Sequence, residues 1–364
     1  MRIAQISPLH ESVPPRRYGG TERVVHYLTE ELVRRGHDVT LFASGDSRTS
    51  ATLEACVPQA LRLAGYAGDP LVPELIQLDR LAAQLERFDV VHFHTGHLHY
   101  PLLHRLPMAW LNTMHGPLSA ADKASLFSHF ARVPLVSISD AQRTPVPDAH
   151  WLGTVYHGLP LDLYRPVAEP QEYLAFIGRV SPEKRLDRAI AIATAVGLPL
   201  KVAAKIDSVD RNYYEGTIAP LIQGNPLVEF IGEVDDAGKQ ELLGNALALL
   251  FPIDWPEPFG LVMIEANACA TPVIAWRNGS TPEVIQPGCN GELVESIEAA
   301  VEAVRRIDRL ERSRVRADFE QRFSAARQAA DYERLYLHQI QARGELSLRR
   351  RPLLESIDPL RYAA

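Results

Sequence analysis

Cysteine is scarce and scattered in this 364-residue chain: Cys56, Cys269 and Cys289 are its only three, and no CxxC pair occurs. That spacing supports neither a disulfide framework nor a cysteine-based zinc site. Asp-x-Asp triplets are missing too, which removes the usual way to hold a divalent ion on a diphosphate. So is the G-x-G-x-x-G fingerprint, which argues against a dinucleotide-dependent dehydrogenase. Basic residues are outnumbered, 38 Lys and Arg against 45 Asp and Glu, for a formal net charge of −7. Nucleic acid is therefore not expected as the main partner. No apolar run is long enough to span a bilayer. The opening Met1–Ser7 lacks the apolar core of a secretory signal, so the expectation is a cytoplasmic chain that opens directly into a buried strand.

What is present is a rhythm of short apolar runs and longer amphipathic stretches. Strands are expected at Arg2–Ser7, Asp38–Ser44, Asp89–His94, Ala109–Met114 and Pro134–Ile138, with helices at Thr21–Arg35 and Leu75–Glu86. The first helix carries Val24, Val25, Leu28, Leu32 and Val33 at helical spacing, and Gly36 stops it. A Pro-rich stretch near residues 160–170 reads as a linker. A second series follows, with strands at Tyr173–Ile177, Leu200–Ala204, Val228–Ile231, Ala248–Phe251 and Pro272–Ala275. Its helices fall at Arg185–Val196, Lys239–Leu243, Leu261–Ala270, Ser296–Arg306 and Phe323–Gln341. Alternation of this kind means parallel sheets covered by helices. The fold class is α/β, with two Rossmann-like domains and ligand at the carboxyl ends of the strands. After Arg343 the rhythm breaks, and Arg349, Arg350 and Arg351 cluster in what reads as a solvated tail. Weak peripheral contact with an anionic membrane is the other reading of that cluster.

Four constellations carry chemistry. In Asp254–Pro282, Glu257 sits in a Pro-flanked loop and Glu265 lies eight residues on, inside the next helix. Gly260 permits close backbone approach, and the amides of Phe259, Gly260, Leu261 and Val262 at the helix start form an anion site that fits a diphosphate. The two carboxylates then suit hydroxyls, those of a ribose and a sugar ring; a helix cap at Glu257 and a surface Glu265 are the plainer alternative. Arg179 and Lys184 follow the first strand of the second series on one loop, GRVSPEK, and together can neutralise a diphosphate. An ordinary exposed loop with a Ser-Pro helix start is its alternative. Tyr18-Gly19-Gly20-Thr21-Glu22 allows a tight loop with amides facing a cleft. His92, His94, His97 and His99 alternate along a strand and loop, and His115 follows another strand. That alternation does not require the four to converge, and no cysteine or carboxylate cluster accompanies them as metal ligands would demand.

These segments resemble the retaining glycosyltransferases of family 4. EPFGLVMIEA, from Glu257 to Ala266, looks like the E-x7-E signature; YGGTERVVHYLTEELVRRGHDVTLFA is similar to the family's first glycine loop and helix. GRVSPEK is similar to its Arg/Lys diphosphate loop and NGSTPEVI to its Gly-x-x-Pro-Glu segment. The likeness extends over nearly the whole chain to about residue 340. It implies the GT-B fold, with an acceptor-side domain over 1–165, a donor-side domain over 166–325, a helix over 326–342 returning to the first domain, and a tail over 343–364. By the same resemblance Glu257 meets donor-sugar hydroxyls, Glu265 the ribose, and Arg179 and Lys184 the diphosphate. Gly19 and Gly20 close over the donor, His115 lies near its sugar, and Ser139 belongs to the segment before the interdomain region. Two departures stand out: His157-Gly158 where the family commonly has Asn-Gly, and Arg185 where it often has Gly after the lysine.

The expectation is a retaining hexosyl transfer from a UDP-sugar, or a GDP-sugar such as GDP-mannose, to a hydroxyl acceptor, with no metal or other cofactor. The acceptor, whether saccharide, lipid-linked or small molecule, is expected in the first domain near Leu9–Arg17 and Gly96–Leu106. A sugar-nucleotide hydrolase or epimerase, or a non-catalytic sugar-nucleotide binding protein, are the rival readings.

Overall fold

The computed structural model describes residues 1–16 and 19–355, with side chains described to residue 344. Tyr18, and the side chains of Arg349, Arg350 and Arg351, lie outside the described residues.

The first sheet has seven strands: β1 (Arg2–Ile6), β2 (Asp38–Ser44), β3 (Thr52–Val57), β4 (Val90–Phe93), β5 (Ala109–Thr113), β6 (Leu135–Ser137) and β7 (Trp151–Thr154). They lie in the order β3-β2-β1-β4-β5-β6-β7, every pairing parallel. The second has β8 (Leu174–Arg179), β9 (Leu200–Lys205), β10 (Val228–Phe230), β11 (Ala248–Phe251), β12 (Val273–Trp276) and β13 (Gly291–Val294), in the order β10-β9-β8-β11-β12-β13. Central strands are apolar and buried on both faces, as parallel strands flanked by helices must be: β11 and β12 are buried throughout. The edge strands β3 and β7 and the short β13 alternate or carry small polar residues, and their pattern is too weak to read from the sequence.

In each sheet the strand order reverses once, between β1 and β4 and between β8 and β11. A cleft must open there, because the loops after those strands leave toward opposite faces. The loops in question carry Gly19 and Gly20, His94, Arg179 to Lys184, and Trp255 to Gly260.

The last helix, Ala325–Glu355, crosses back from the second sheet to the first. Ala329, Tyr332 and Tyr336 pack against Ile3, Val90, Leu111 and Val136, and Glu333 pairs with Arg35 at 2.6 Å and His37 at 2.7 Å. Where the sequence pattern predicts a tail after Arg343, this helix continues to Glu355. Glu, Leu and Arg are good helix formers and the glycine at position 344 costs only about 1 kcal/mol, while Pro352, at about 3 kcal/mol the costlier residue, comes only at the helix's last turn.

Two carboxylate bridges fix the domains to each other. Arg23, on the helix Gly20–Arg34, donates twice to Asp236 at the start of the helix Asp236–Gly244, at 2.6 and 2.8 Å. Glu283, from the Gly-x-x-Pro-Glu segment, accepts from the amides of Asp140 and Ala141, each at 2.7 Å, and from the Tyr156 hydroxyl at 3.0 Å.

Candidate active site

Two adjoining cavities occupy the cleft. The first, of about 440 Å³, is lined from the second domain by Arg179, Lys184, Lys239, Trp255, Glu257, Gly260, Leu261, Val262 and Glu265, and from the first by Gly19, Gly20 and Arg23. The second, of about 460 Å³, shares Gly19, Gly20, Glu257, Gly260 and Leu261 and adds His10, Glu11, Glu22, Arg62, His115 and His157.

Glu257 is placed by backbone. Its carbonyl accepts from Ser280 N at 2.9 Å, and Asp254 N donates to the Glu183 carbonyl at 2.8 Å, tying its loop to the GRVSPEK turn. Gly279, at φ +56°, passes so near that a Cβ would stand 2.4 Å from Glu257 N. Gly260 takes φ +78° to start the helix Leu261–Ala268, and a side chain there would press Met263 and Phe251. No side-chain cap bonds that helix start, so Glu257 is not its cap. In the first turn the Met263 amide bonds the Gly260 carbonyl at 3.0 Å, while Leu261 and Val262, whose amides have no preceding helical carbonyl to bond, line the first cavity beside Gly260.

The charges are matched in pairs. Lys184 Nζ is held by Glu257 Oε2, and Trp255 Nε1 donates to the same oxygen at 3.1 Å. The ammonium also lies 4.9 Å from the Trp255 ring and 5.7 Å from that of Phe251. Arg179 faces Glu183 at 2.5 Å and Asp210 at 3.3 Å. Glu265, which is 2 % exposed, receives Lys239 Nζ at 2.6 Å. It is no surface residue: Lys239, from the helix Asp236–Gly244, closes over its carboxylate.

Most of the sequence-predicted residues gather here. Glu257, Glu265, Arg179, Lys184, Gly19, Gly20, Gly260, Leu261 and Val262 line the first cavity, and His115 and Phe259 the second. Phe259 contributes backbone, because its ring is buried edge-on to His157 with centroids 4.8 Å apart. Ser139 lines neither cavity: it is fully buried and its Oγ accepts from Gln142 N at 3.0 Å, turned inward to close the short turn after β6. Arg185 turns away as well, to Asp187 and Asp254, from a left-handed backbone at φ 53° that glycine would adopt without strain. None of residues 96–106 lines either cavity; His99, Tyr100 and Leu103 pack into the first domain's core.

Pattern reading missed Lys239, Arg23 and Arg62, and reached Glu11 only as part of the stretch Leu9–Arg17. Each meets its partner across a long sequence separation, and nothing local marks it. It also underrated the histidines. His92 and His94 lie tilted against each other with centroids 3.9 Å apart, and His94 bonds His115 at 2.9 Å. His157 in turn stacks on His115 at 5.4 Å. His92 and His94 face the same way because residues i and i+2 share a strand face, and His115 and His157 join them from the loops after β5 and β7; His97 and His99 do not converge with them, His99 stacking on Phe93 instead. Burial pushes the four converging imidazoles well below their usual range, His115 to about 3. Among the described residues no three His, Cys, Asp or Glu side chains are placed to hold a metal ion.

Two facing Rossmann-like domains with a charged cleft at both switch points define a GT-B architecture. Residues 18–143 match the family described as Glycosyltransferase Family 4, and residues 165–329 that described as Glycosyl transferases group 1. Together they take in most of the chain, which belongs to the glycosyltransferases of GT-B fold. It is 28 % identical over 334 residues to the phosphatidyl-myo-inositol mannosyltransferase of Mycobacterium tuberculosis, covering 81 % of this chain and 82 % of that protein. Among solved structures it resembles AviGT4, a glycosyltransferase involved in avilamycin A biosynthesis, with TM-score 0.75 and 26 % identity over 94 % of this chain and 98 % of that one. It also shares the fold of Anabaena HepE, solved in complex with UDP and glucose, with TM-score 0.71 and 18 % identity over 92 % of this chain and 99 % of that one.

Proposed function

We propose that the protein is a retaining, metal-independent hexosyltransferase that moves a sugar from a nucleotide diphosphate to a hydroxyl acceptor. A UDP-hexose is the first donor to test, and GDP-mannose the second, since the curated relative's name carries a mannosyl group. One observation carries the reading: Arg179, Lys184, a helix start, Glu257 and Glu265 line a single cavity walled by both domains. The diphosphate would lie against the first turn of Leu261–Ala268, exchanging Lys184 and Arg179 out of their carboxylate pairs. Glu257 would then accept from sugar hydroxyls and Glu265 from the ribose.

As the anomeric carbon–oxygen bond to phosphate breaks, charge grows on the leaving oxygen, where the two cations and the helix start stabilise it. The acceptor oxygen bonds the same face of the carbon, and its proton passes to the departing phosphate oxygen. Glu257 is assigned no covalent role: once Lys184 turns to the phosphate, its carboxylate would serve the sugar hydroxyls. The acceptor would enter through the second cavity, between His10, Glu11 and Glu22.

Calorimetry against UDP, GDP, ADP and their sugar conjugates, with chelator present, tests the reading. Tight binding of one nucleotide, followed by donor turnover that requires an acceptor, is expected. Turnover without any acceptor favours a hydrolase or epimerase, binding without turnover a sensor, and no binding sinks the nucleotide-sugar site.

A further inference from the structure

Behind His115 runs a chain of buried side-chain hydrogen bonds that ends on the returning helix. Tyr336 of that helix receives Gln5 Nε2 at 3.0 Å. Gln5 Oε1 then faces His94 Nε2 at 2.7 Å, and His94 Nδ1 faces His115 Nε2 at 2.9 Å. On the other side, the Tyr336 hydroxyl lies 2.7 Å from His92 Nδ1, His92 Nε2 lies 2.7 Å from Thr113 Oγ1, and Thr113 lies 2.8 Å from the Tyr332 hydroxyl. Gln5, His92, Thr113, Tyr332 and Tyr336 are wholly buried, and His94 nearly so.

The chain has a direction, set by the Gln5 amide, whose nitrogen faces Tyr336 and whose oxygen faces His94. A carbonyl oxygen only accepts, so His94 Nε2 must carry a proton. Burial keeps that imidazole neutral, so its Nδ1 is bare and accepts from His115 Nε2–H. A neutral His115 then has a bare Nδ1 as well. That atom is buried, and among the described residues no group donates to it. An unpaired buried acceptor is costly, and His115 lines the cavity into which the sugar would reach.

We propose that Gln5, His94 and Tyr336 are positioning residues that hold His115 in its Nε2–H tautomer, so that Nδ1 is offered to a hydroxyl of the transferred sugar. This rests on the transferase reading of the cleft. It adds that the helix crossing back between the domains sets which groups the sugar pocket accepts. The opposite polarity, reached by turning the Gln5 amide over, would present an N–H at the same place and select an acceptor group instead.

The test is long-range nitrogen–proton NMR on histidine-labelled protein at pH 7.5, without added nucleotide. His94 and His115 should both be neutral and both be Nε2–H. Gln5→Met, which keeps the shape without the carbonyl, and Tyr336→Phe, which frees the amide, should each let the Nδ1–H form of His115 appear. In transfer assays Gln5→Met should lower kcat/KM for the sugar donor about tenfold, with affinity for the free nucleotide diphosphate unchanged. A role confined to stability would lower the melting temperature and leave both tautomer and kcat/KM alone. Wild-type His115 found as Nδ1–H, or variants unchanged in both readouts, overturns the proposal. A wild type with the expected tautomers that turns over no nucleotide sugar instead overturns the transferase reading and the sugar contact with it.

Discussion

Lys184 and Glu257 are each other's partners: the lysine ammonium sits on the glutamate carboxylate, between the rings of Trp255 and Phe251. Two side chains expected to serve the diphosphate and the sugar separately are thus joined. On the transferase reading proposed above, donor binding would be an exchange of partners, phosphate taking the lysine and sugar hydroxyls the carboxylate. Removing either side chain should therefore disturb both subsites. Glu257→Ala should reduce kcat/KM on the order of 100-fold, with circular dichroism unchanged. Lys184→Ala should weaken nucleotide diphosphate binding by about 1.5–3 kcal/mol, read by calorimetry. Turnover in Glu257→Ala equal to wild type would remove that carboxylate from the mechanism.

The buried pair Lys239–Glu265 makes a separate prediction. Lys239→Met strands a carboxylate that is 2 % exposed, and breaking such a pair costs about 3–5 kcal/mol. The double variant Lys239→Met, Glu265→Gln should recover much of that loss, because the charge itself is gone. Urea unfolding of both variants checks this. Equal losses would mean that packing of the lysine stem, and not the charge, is what matters.

How much of this was legible beforehand depends on the range of the interaction. Arg179, Lys184, Glu257 and Glu265 stand on loops and a helix start whose local pattern announces an anion site, and the central strands announce themselves by unbroken apolar runs. Lys239 and Arg23 carry no such mark. Their partners, Glu265 and Asp236, lie 26 and 213 positions away in sequence, and only the fold brings them together. Ser139 misled for the converse reason: a serine after a strand suits a ligand loop and an inward cap equally, and its hydroxyl went to Gln142.

Glu283 joins the domains through two amides and a phenol, and the phenol reports on it. Burial, helped by the Glu283 carboxylate, pushes the Tyr156 hydroxyl up to about 12. Glu283→Ala should bring that ionisation down toward the usual value near 10, seen as tyrosinate absorbance in a pH titration against Tyr156→Phe. The melting temperature should fall as well, since three hydrogen bonds to a charged acceptor are lost. A Tyr156 titration identical to wild type would show that the carboxylate does not act on the phenol.

Acid should unfold the protein through its histidines. His92, His94, His99, His115 and His157 are held below their ordinary pKa by burial, His115 at about 3. The unfolded chain, with histidine near 6.5, binds more protons than the folded one in the interval beneath that value. Stability is then fully present above about pH 6.5 and is lost as the pH falls, by up to roughly 1.4 kcal/mol per pH unit for each such group. Glu22 works the other way: burial raises it to about 6, so it favours the fold as pH drops from there toward the ordinary carboxylate value. Burial raises Glu74 as well, but two glutamates cannot offset five imidazoles. Urea midpoints should therefore fall steeply between pH 6.5 and 5 while changing little from pH 7 to 8. A flat profile across the lower interval would mean that the imidazole chain is solvated or charged in the folded protein, contrary to its burial.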